Sequence, residues 1–352
     1  MINDIRKSSV DTTDTETKSR FEGISDFLRR RFVLGVGFGI LVTAAFVFFS
    51  DGKQVAHTLH GFEWRLVPLI LLLSLSNYLL RFVKWHLYLH WVGATPIGKL
   101  TSLVIFFSGL SMAITPGKVG EFLKPYLVRR TNDTPLAVTA PIVITERITD
   151  GVAMLVLASL GLLQVHHGWI VLVALAVFFV LFAVMLQRQA MVHSILRRFE
   201  RIAVIGRRIE TLETLYESTW RMFRPGRLLI AVLISTASWA GECVAFFLVL
   251  KGLGFTADWH LLFVATSTLA IATLIGAITL LPGGLGAAEL SVTGLLILFM
   301  GSAVINHETA ATATLLVRFA TFWFGILLGL GALLISEWYL NRVAAQRSPT
   351  AT

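Results

Sequence analysis

Apolar residues run along this chain in long unbroken stretches, not at the two- or 3.6-residue period of a half-buried strand or helix. Six of these stretches, 32–49, 66–91, 142–165, 169–187, 228–250 and 311–336, are each long enough to cross the roughly 30 Å hydrocarbon core of a bilayer as a helix. Two more, 100–130 and 261–303, are apolar but interrupted by Pro-Gly, and are read as re-entrant or split segments. The pattern predicts an all-α polytopic membrane protein with about six full spans and two broken segments. Residues 1–31 are polar and predict a disordered tail. They are too long for the charged region of a cleavable signal, and the apolar run behind them is long enough to stay as a helix. The single transmembrane domain is expected over 32–340, with a second short tail at 341–352.

Composition agrees. The chain has 352 residues, of which 55% are hydrophobic and only 14% charged, whereas a soluble domain is about a quarter charged. Cys243 is the one cysteine, so neither a disulfide framework nor a thiol metal site is expected. The net charge of +9 raises nucleic acid as a partner, but its placement argues against that. Basic residues crowd the N-terminal tail, and segment 188–227 carries nine arginines. Arg342 and Arg347 close the chain. The opposite loops, 50–65, 166–168, 251–260 and 304–310, hold only Lys53, Arg65 and Lys251. This is the asymmetry of a membrane protein with basic loops on the cytoplasmic side. It predicts both termini on the cytoplasmic side and leaves no reason to invoke nucleic acid. Within 190–225, Ile195, Phe199, Ile202, Ile209, Leu212, Tyr216 and Phe223 recur at helical spacing among arginines. That predicts an amphipathic helix in the headgroup plane.

Two stretches resemble each other. Residues 102–122 and 267–289 are both apolar and both reach Pro-Gly-x-x-Gly followed by a glutamate: Pro116, Gly117, Gly120 and Glu121, then Pro282, Gly283, Gly286 and Glu289. Upstream, Asn77, Arg81, Trp85 and Gly93 match Ser238, Glu242, Phe246 and Gly254 at one offset. Downstream, Arg147 and Arg318 follow. An odd number of spans separates the copies, so the repeat halves, about 66–187 and 228–336, are expected to be inverted. Inverted repeats with broken helices in matching places point to a transporter's binding site near the midplane.

Ten ionisable residues lie within or beside apolar stretches: Arg81, Lys84, Glu121, Lys124, Glu146, Arg147, Asp150, Glu242, Glu289 and Arg318. At about 2.5–3.5 kcal/mol each on insertion scales, they are tolerable only if paired or facing a wet cavity. Five bases and five acids make near-complete pairing possible. Asn77, Arg81, Lys84 and Tyr88 fall on one helical stripe. Glu146 and Asp150 share a face, and Arg147 points about 100° away. Pro116 and Pro282 are expected to open new helices whose free N–H groups and positive dipole ends face inward. Gly117, Gly120, Gly283, Gly284 and Gly286 would let a phosphate or carboxylate approach that backbone.

At these residues the chain resembles a known family. Arg81-x-x-Lys84-Trp85, Pro116-Gly117-x-x-Gly120-Glu121, Glu146-Arg147-x-x-Asp150 and Leu281-Pro282-Gly283-Gly284-Leu285-Gly286 are similar to motifs of the flippase-like family. That family is named for the membrane half of lysylphosphatidylglycerol synthase, and the similarity runs over about residues 65–340. The resemblance implies a lipid-handling role without aminoacyl transfer. It leaves open which phospholipid or lipid-linked precursor is carried, and it implies a separate lipid-modifying enzyme as a partner. The expected binding set is Asn77, Arg81, Lys84, Trp85, Pro116, Gly117, Gly120, Glu121, Lys124, Glu146, Arg147, Asp150, Pro282, Gly283, Gly284, Gly286, Glu289 and Arg318. No cofactor, metal or catalytic residue is expected. There is no P-loop, and the adjacent His166 and His167 are poorly spaced for one metal. A lipid-carrier glycosyltransferase using Glu146 and Asp150, or a scaffold for another enzyme, remain the competing readings.

Overall fold

A chain in hydrocarbon must satisfy its own backbone polar groups, which leaves helix or a closed barrel. The computed structural model shows helix. It describes residues 32–94, 96–162 and 209–347, with a few positions between 169 and 181. Among the described residues every regular element is helical. Helix α1 is Phe32–Phe49. It is followed by α2 (Gly52–His60), α3 (Val67–Val92), α4 (Lys99–Ser111), α5 (Leu123–Asn132) and α6 (Leu136–Leu162). Then come α7 (Ile209–Met222), α8 (Pro225–Gly252), α9 (Trp259–Ile278), α10 (Ala287–Met300), α11 (His307–Arg318) and α12 (Phe324–Arg347).

Local chemistry sets the ends. Pro68 opens α3, and Gly93 closes it at φ +76°, with the Ala94 N–H returning to the Leu89 carbonyl in a Schellman turn. Asp258 and Asn306 cap α9 and α11 through their side chains. Between α11 and α12 the helix widens into a π segment, Phe319–Trp323.

Among the described residues, six stretches are long and apolar enough to span: Phe32–Phe49, Trp64–Val92, Pro225–Gly252, Trp259–Ile278, Pro282–Met300 and His307–Leu340. Helix α6 is 27 residues long, about 40 Å at helical rise, and differs in carrying Glu146, Arg147 and Asp150 mid-length. It begins six residues earlier than the apolar run suggested. Pro141 lies inside it, and the Thr145 hydroxyl bonds back to the Pro141 carbonyl. The expected span 169–187 and the 190–208 part of the amphipathic segment lie outside the described residues, isolated positions of 169–181 apart. The described part of that segment, α7, packs on α6 and α3 with Tyr216, Ser218 and Met222 buried. Those side chains pack against the protein.

Both Pro-Gly stretches are broken. The first is α4, a 3₁₀ turn at Met112–Ile114, a 3₁₀ segment at Pro116–Phe122, and α5. The second is α9, a turn at Pro282–Gly284, and α10, and its two pieces are each long enough to span. Pro116 does begin a helical segment. Pro282 does not begin α10, which starts five residues later behind Gly286. Gly283, Gly284 and Gly286 sit at φ +59°, +68° and +86°, a left-handed path through which a right-handed helix cannot propagate.

The packing pairs distant elements. Helix α3 lies along α8, α4 along α12, and α9 along α6 and α10, while the two breaks touch each other. At Gly329 of α12 the backbone of α4 comes so close that a Cβ would overlap Ser111 and Leu110 main-chain atoms. Outward faces are apolar, with Leu34, Phe49, Leu72, Leu290, Leu298 and Leu334 all exposed. Polar side chains instead collect inside, including Asn77, Lys84, Glu146 and Asp150. A wet exterior would invert that distribution.

Candidate functional site

A cavity of about 400 Å³ opens where the two breaks, α3, α6, α8 and the π segment converge. Its charged walls are Arg81 of α3, Glu121 and Lys124 beside the first break, Arg147 and Asp150 of α6, Glu242 of α8 and Arg318 of α11. Four are cations and three are acids. Tyr78, Trp239, Phe322 and the backbone of Gly283 and Gly284 complete the polar and aromatic lining.

The charges form two connected groups. In the first, the Arg147 Nε stands 3.0 Å from Glu121 Oε2, and Arg147 and Arg81 each approach Asp150 Oδ2 to 4.0 Å. Behind the wall, the Lys84 ammonium donates to Asp150 Oδ1 at 2.5 Å and to Ser235 Oγ at 2.6 Å. Lys124 pairs with Glu146, and its ammonium lies 4.7 Å from the Trp85 ring. Gly109 makes room for the Lys124 stem, which a Cβ there would strike. In the second group, Arg318 Nε donates to Glu289 Oε1 at 2.6 Å, Arg318 Nη2 donates to the Gly283 carbonyl at 3.0 Å, and the guanidinium stacks 4.4 Å from Phe322. Glu289 in turn accepts from the Gly286 N–H at 2.6 Å.

The π segment is accommodated on the same side. Tyr78 donates its hydroxyl to the Thr321 carbonyl, and Gly325 leaves room for that hydroxyl, since a Cβ would sit 2.7 Å from it. π segments cluster at functional sites because they turn side chains off the helical register. Here Thr321 and Phe322 are turned into the cavity.

Of the expected binding set, Arg81, Glu121, Lys124, Arg147, Asp150, Gly283, Gly284 and Arg318 line the cavity. Lys84, Trp85, Asn77 and Glu146 are buried behind it, and Glu289 holds Arg318 from behind. Lys84 is fully buried. Gly120 packs against Thr115 and Met112. Pro116 and Gly117 begin the 3₁₀ segment of the first break, and Pro282 and Gly286 shape the second without lining the cavity. The free backbone N–H groups expected at the breaks are largely engaged: Gly120 N–H by Thr115 Oγ1, Gly284 by Leu281, Leu285 by Pro282 and Gly286 by Glu289. An unmet N–H in hydrocarbon costs several kcal/mol, roughly as much as a lost hydrogen bond in full, so the chain closes these itself. Arg81, Lys124, Arg147 and Arg318 carry the positive charge of the wall.

Tyr78, Trp239 and Glu242 were not in the expected set. The signal for all three was present, because Tyr78 and Arg81 map onto Trp239 and Glu242 at the same 161-residue offset that relates Asn77 to Ser238.

Several buried polar atoms of the wall lack a hydrogen-bond partner among the described residues: Arg81 Nε, Arg147 Nε, Trp239 Nε1, Glu121 Oε2 and Asp150 Oδ2. Arg147 Nε and Glu121 Oε2 are close enough for an ion pair, but their alignment fails as a hydrogen bond. Three unmet donors and two unmet acceptors in one cavity mark a place built for polar company.

The family profile described as lysylphosphatidylglycerol synthase TM region matches residues 36–329, which include every residue of the cavity wall. The chain belongs to this family. Two relatives from Methanothermobacter thermautotrophicus, each named UPF0104 membrane protein, extend the comparison. One is 24% identical over 320 residues, 84% of this chain and 92% of its own length. The other is 21% identical over 311 residues, 82% and 89% respectively. The family match begins within α1, at residue 36, where the similarity was expected from about residue 65, so α1 is part of the matched region. Its Gly35 and Gly39 rest against Ile114 at the first break.

Proposed function

We propose that the cavity receives the phosphate-bearing headgroup of a membrane lipid, and that the protein moves this headgroup between leaflets while the tails stay in hydrocarbon. The observation that carries this reading is the cavity wall itself. Four cations face three acids, with guanidinium and indole donors unmet, inside a shell of apolar helices. Arg81, Arg147 and Arg318 would take the phosphate, since guanidinium forks suit its oxygens. Glu121, Asp150 and Glu242 would limit the net charge or accept from headgroup hydroxyl or amine groups. The substrate class is a phospholipid or a lipid-linked precursor.

An inverted repeat supports the transport reading. Asn77 and Ser238, equivalent by sequence, exchange hydrogen bonds: Asn77 Nδ2 donates to the Ser238 carbonyl and Ser238 Oγ donates to the Asn77 carbonyl. Reciprocal contacts between equivalent residues are what a two-fold axis produces. Glu121 with Arg147 and Glu289 with Arg318 are the same pair in each half. The α4–α12 and α9–α6 contacts are also exchanged by that relation. We place the axis between α3 and α8, the halves at about 66–187 and 228–336, and both termini on the cytoplasmic side of an inner membrane, where a soluble lipid-modifying enzyme would meet the protein. The glycosyltransferase reading needed Glu146 and Asp150 as a free acidic pair, but each is tied to a lysine.

The test is reconstitution into phosphatidylcholine liposomes carrying tail-labelled phosphatidylglycerol, with dithionite bleaching of the outer leaflet. The protein is expected to speed exchange between leaflets. Arg318→Ala is expected to slow it roughly 10- to 100-fold, matching the loss of a charge-assisted contact of about 1.5–3 kcal/mol. Equal bleaching with and without protein, for anionic, zwitterionic and glycosylated lipids alike, would sink the reading.

A further inference from the structure

Among the described side chains, five acids lie inside the helical shell. Four have a basic partner within 4.0 Å: Glu121, Glu146, Asp150 and Glu289. Glu242 has no such partner. It is 5% exposed, lines the cavity, and makes no hydrogen bond or ion pair with any described residue.

The two-fold relation explains why. Glu242 is the counterpart of Arg81, which has Asp150 beside it. The offset of 171 that carries Arg147 to Arg318 carries Asp150 to Thr321. The second half thus reverses the charge on the α3-like helix without supplying a cation on its neighbour. The charges that act on Glu242 are Arg81 from α3, Arg318 from α11 and Asp150 from α6. Tyr78 of α3 and Trp239 and Cys243 of α8 are also nearby, but the Tyr78 hydroxyl is already committed to Thr321. From α9 the cavity receives Thr273 and apolar side chains only.

The guanidiniums of Arg81 and Arg318 act in favour of the Glu242 anion, against the cost of holding a charge away from bulk water. A phosphate that settles on the same guanidiniums takes over that compensation and repels the carboxylate across a space walled by hydrocarbon, where screening is weak. The charge conflict is relieved by one proton. A metal ion does not answer it equally well. Hard cations want about six oxygens, and no cluster of three or more His, Cys, Asp or Glu suited to a metal exists among the described residues.

We infer that Glu242 is the proton-coupling group: its carboxylate takes up one proton as a phosphate group binds against Arg81 and Arg318, and returns it when the phosphate leaves. The only bond made and broken is the carboxyl O–H. The inference rests on the proposed headgroup site and adds a coupling ion to it. Linkage makes the effect reciprocal. Where the free carboxylate is ionised, phosphate affinity falls about tenfold per pH unit, the slope for one proton per anion.

The experiment uses the full chain in phosphatidylcholine nanodiscs. Short-chain phosphatidylglycerol and, separately, inorganic phosphate are titrated calorimetrically in two buffers of different ionisation enthalpy. Wild type is expected to take up close to one proton per phosphate group bound. Glu242→Gln is expected to bind with no proton uptake and no fall of affinity with pH, and Glu242→Asp to restore both. Binding by wild type without proton exchange overturns the inference while leaving the lipid reading intact, and this arm needs no variant to fold. Undiminished uptake in Glu242→Gln overturns it in the same way. Proton-linked binding of inorganic phosphate alone upholds the coupling and removes the lipid. Absence of any binding removes both.

Discussion

Replacing Lys84 by Met tests whether the cavity wall is as sealed as described. The Lys84 side chain is fully buried, and its ammonium donates to Asp150 Oδ1 at 2.5 Å, Ser235 Oγ at 2.6 Å and Thr149 Oγ1 at 3.4 Å. Methionine keeps most of the length and the apolar stem but removes all three donors. Removing one member of a buried ion pair costs about 3–5 kcal/mol, because the other charge is left uncompensated. Asp150 is not wholly abandoned here: Arg81 and Arg147 stand 4.0 Å away, and Ser235 donates to it at 3.0 Å. The loss is therefore expected near the lower end, about 3 kcal/mol or a little over a hundredfold in the unfolding equilibrium. Denaturant titration in mixed micelles, followed by the fluorescence of the nine tryptophans, measures it. Adding Asp150→Asn is expected to cost less than the sum of the single changes, since the lone charge is then gone. A Lys84→Met protein within about 0.5 kcal/mol of wild type, the range of ordinary surface substitutions, would refute the buried pair and with it the separation of wall from cavity.

Two glycines of α12 should behave oppositely on change to alanine. Gly329→Ala forces α4 and α12 apart and is expected to destabilise by about 1–3 kcal/mol, whereas a Cβ at Gly331 meets nothing within 4 Å and Gly331→Ala should be neutral or slightly stabilising in the same denaturant titration. Cysteine labelling at the two ends of α8 reads its orientation: with the native Cys243 buried and unlabelled, an impermeant maleimide applied to intact cells should reach Lys251→Cys directly and Arg224→Cys only after permeabilisation, and the reverse pattern would overturn the assigned sides.

The spans were legible because hydrophobicity along a segment is a local property. Phe32–Phe49 could be read directly from the chain, and the spans at 66–91 and 228–250 were right to within three residues at each end. The breaks were legible for the same reason, since Pro and Gly restrict or free the backbone wherever they stand. Their detail was not. A helix starting at Pro282 looked reasonable until three glycines at positive φ, Gly283, Gly284 and Gly286, pushed α10 back to Ala287. The 311–336 run also gave no hint that the helix widens at Phe319–Trp323, where the Thr321 carbonyl accepts from Tyr78, 243 residues away in the chain.

From the sequence alone came a helical membrane protein, a repeated Pro-Gly break, and a set of intramembrane charges too costly to leave unpaired. Which charge meets which was decided only in three dimensions, by contacts such as Lys84 with Asp150 across 66 residues and Asn77 with Ser238 across 161. Pairing removes Lys84 and Glu146 from the cavity, holds Arg318 at its edge, and leaves Glu242 facing it with no ion pair among the described residues. Residue type sets what a charge costs in hydrocarbon. The packing of distant helices sets whether a counter-charge, or an open space, is there to meet it.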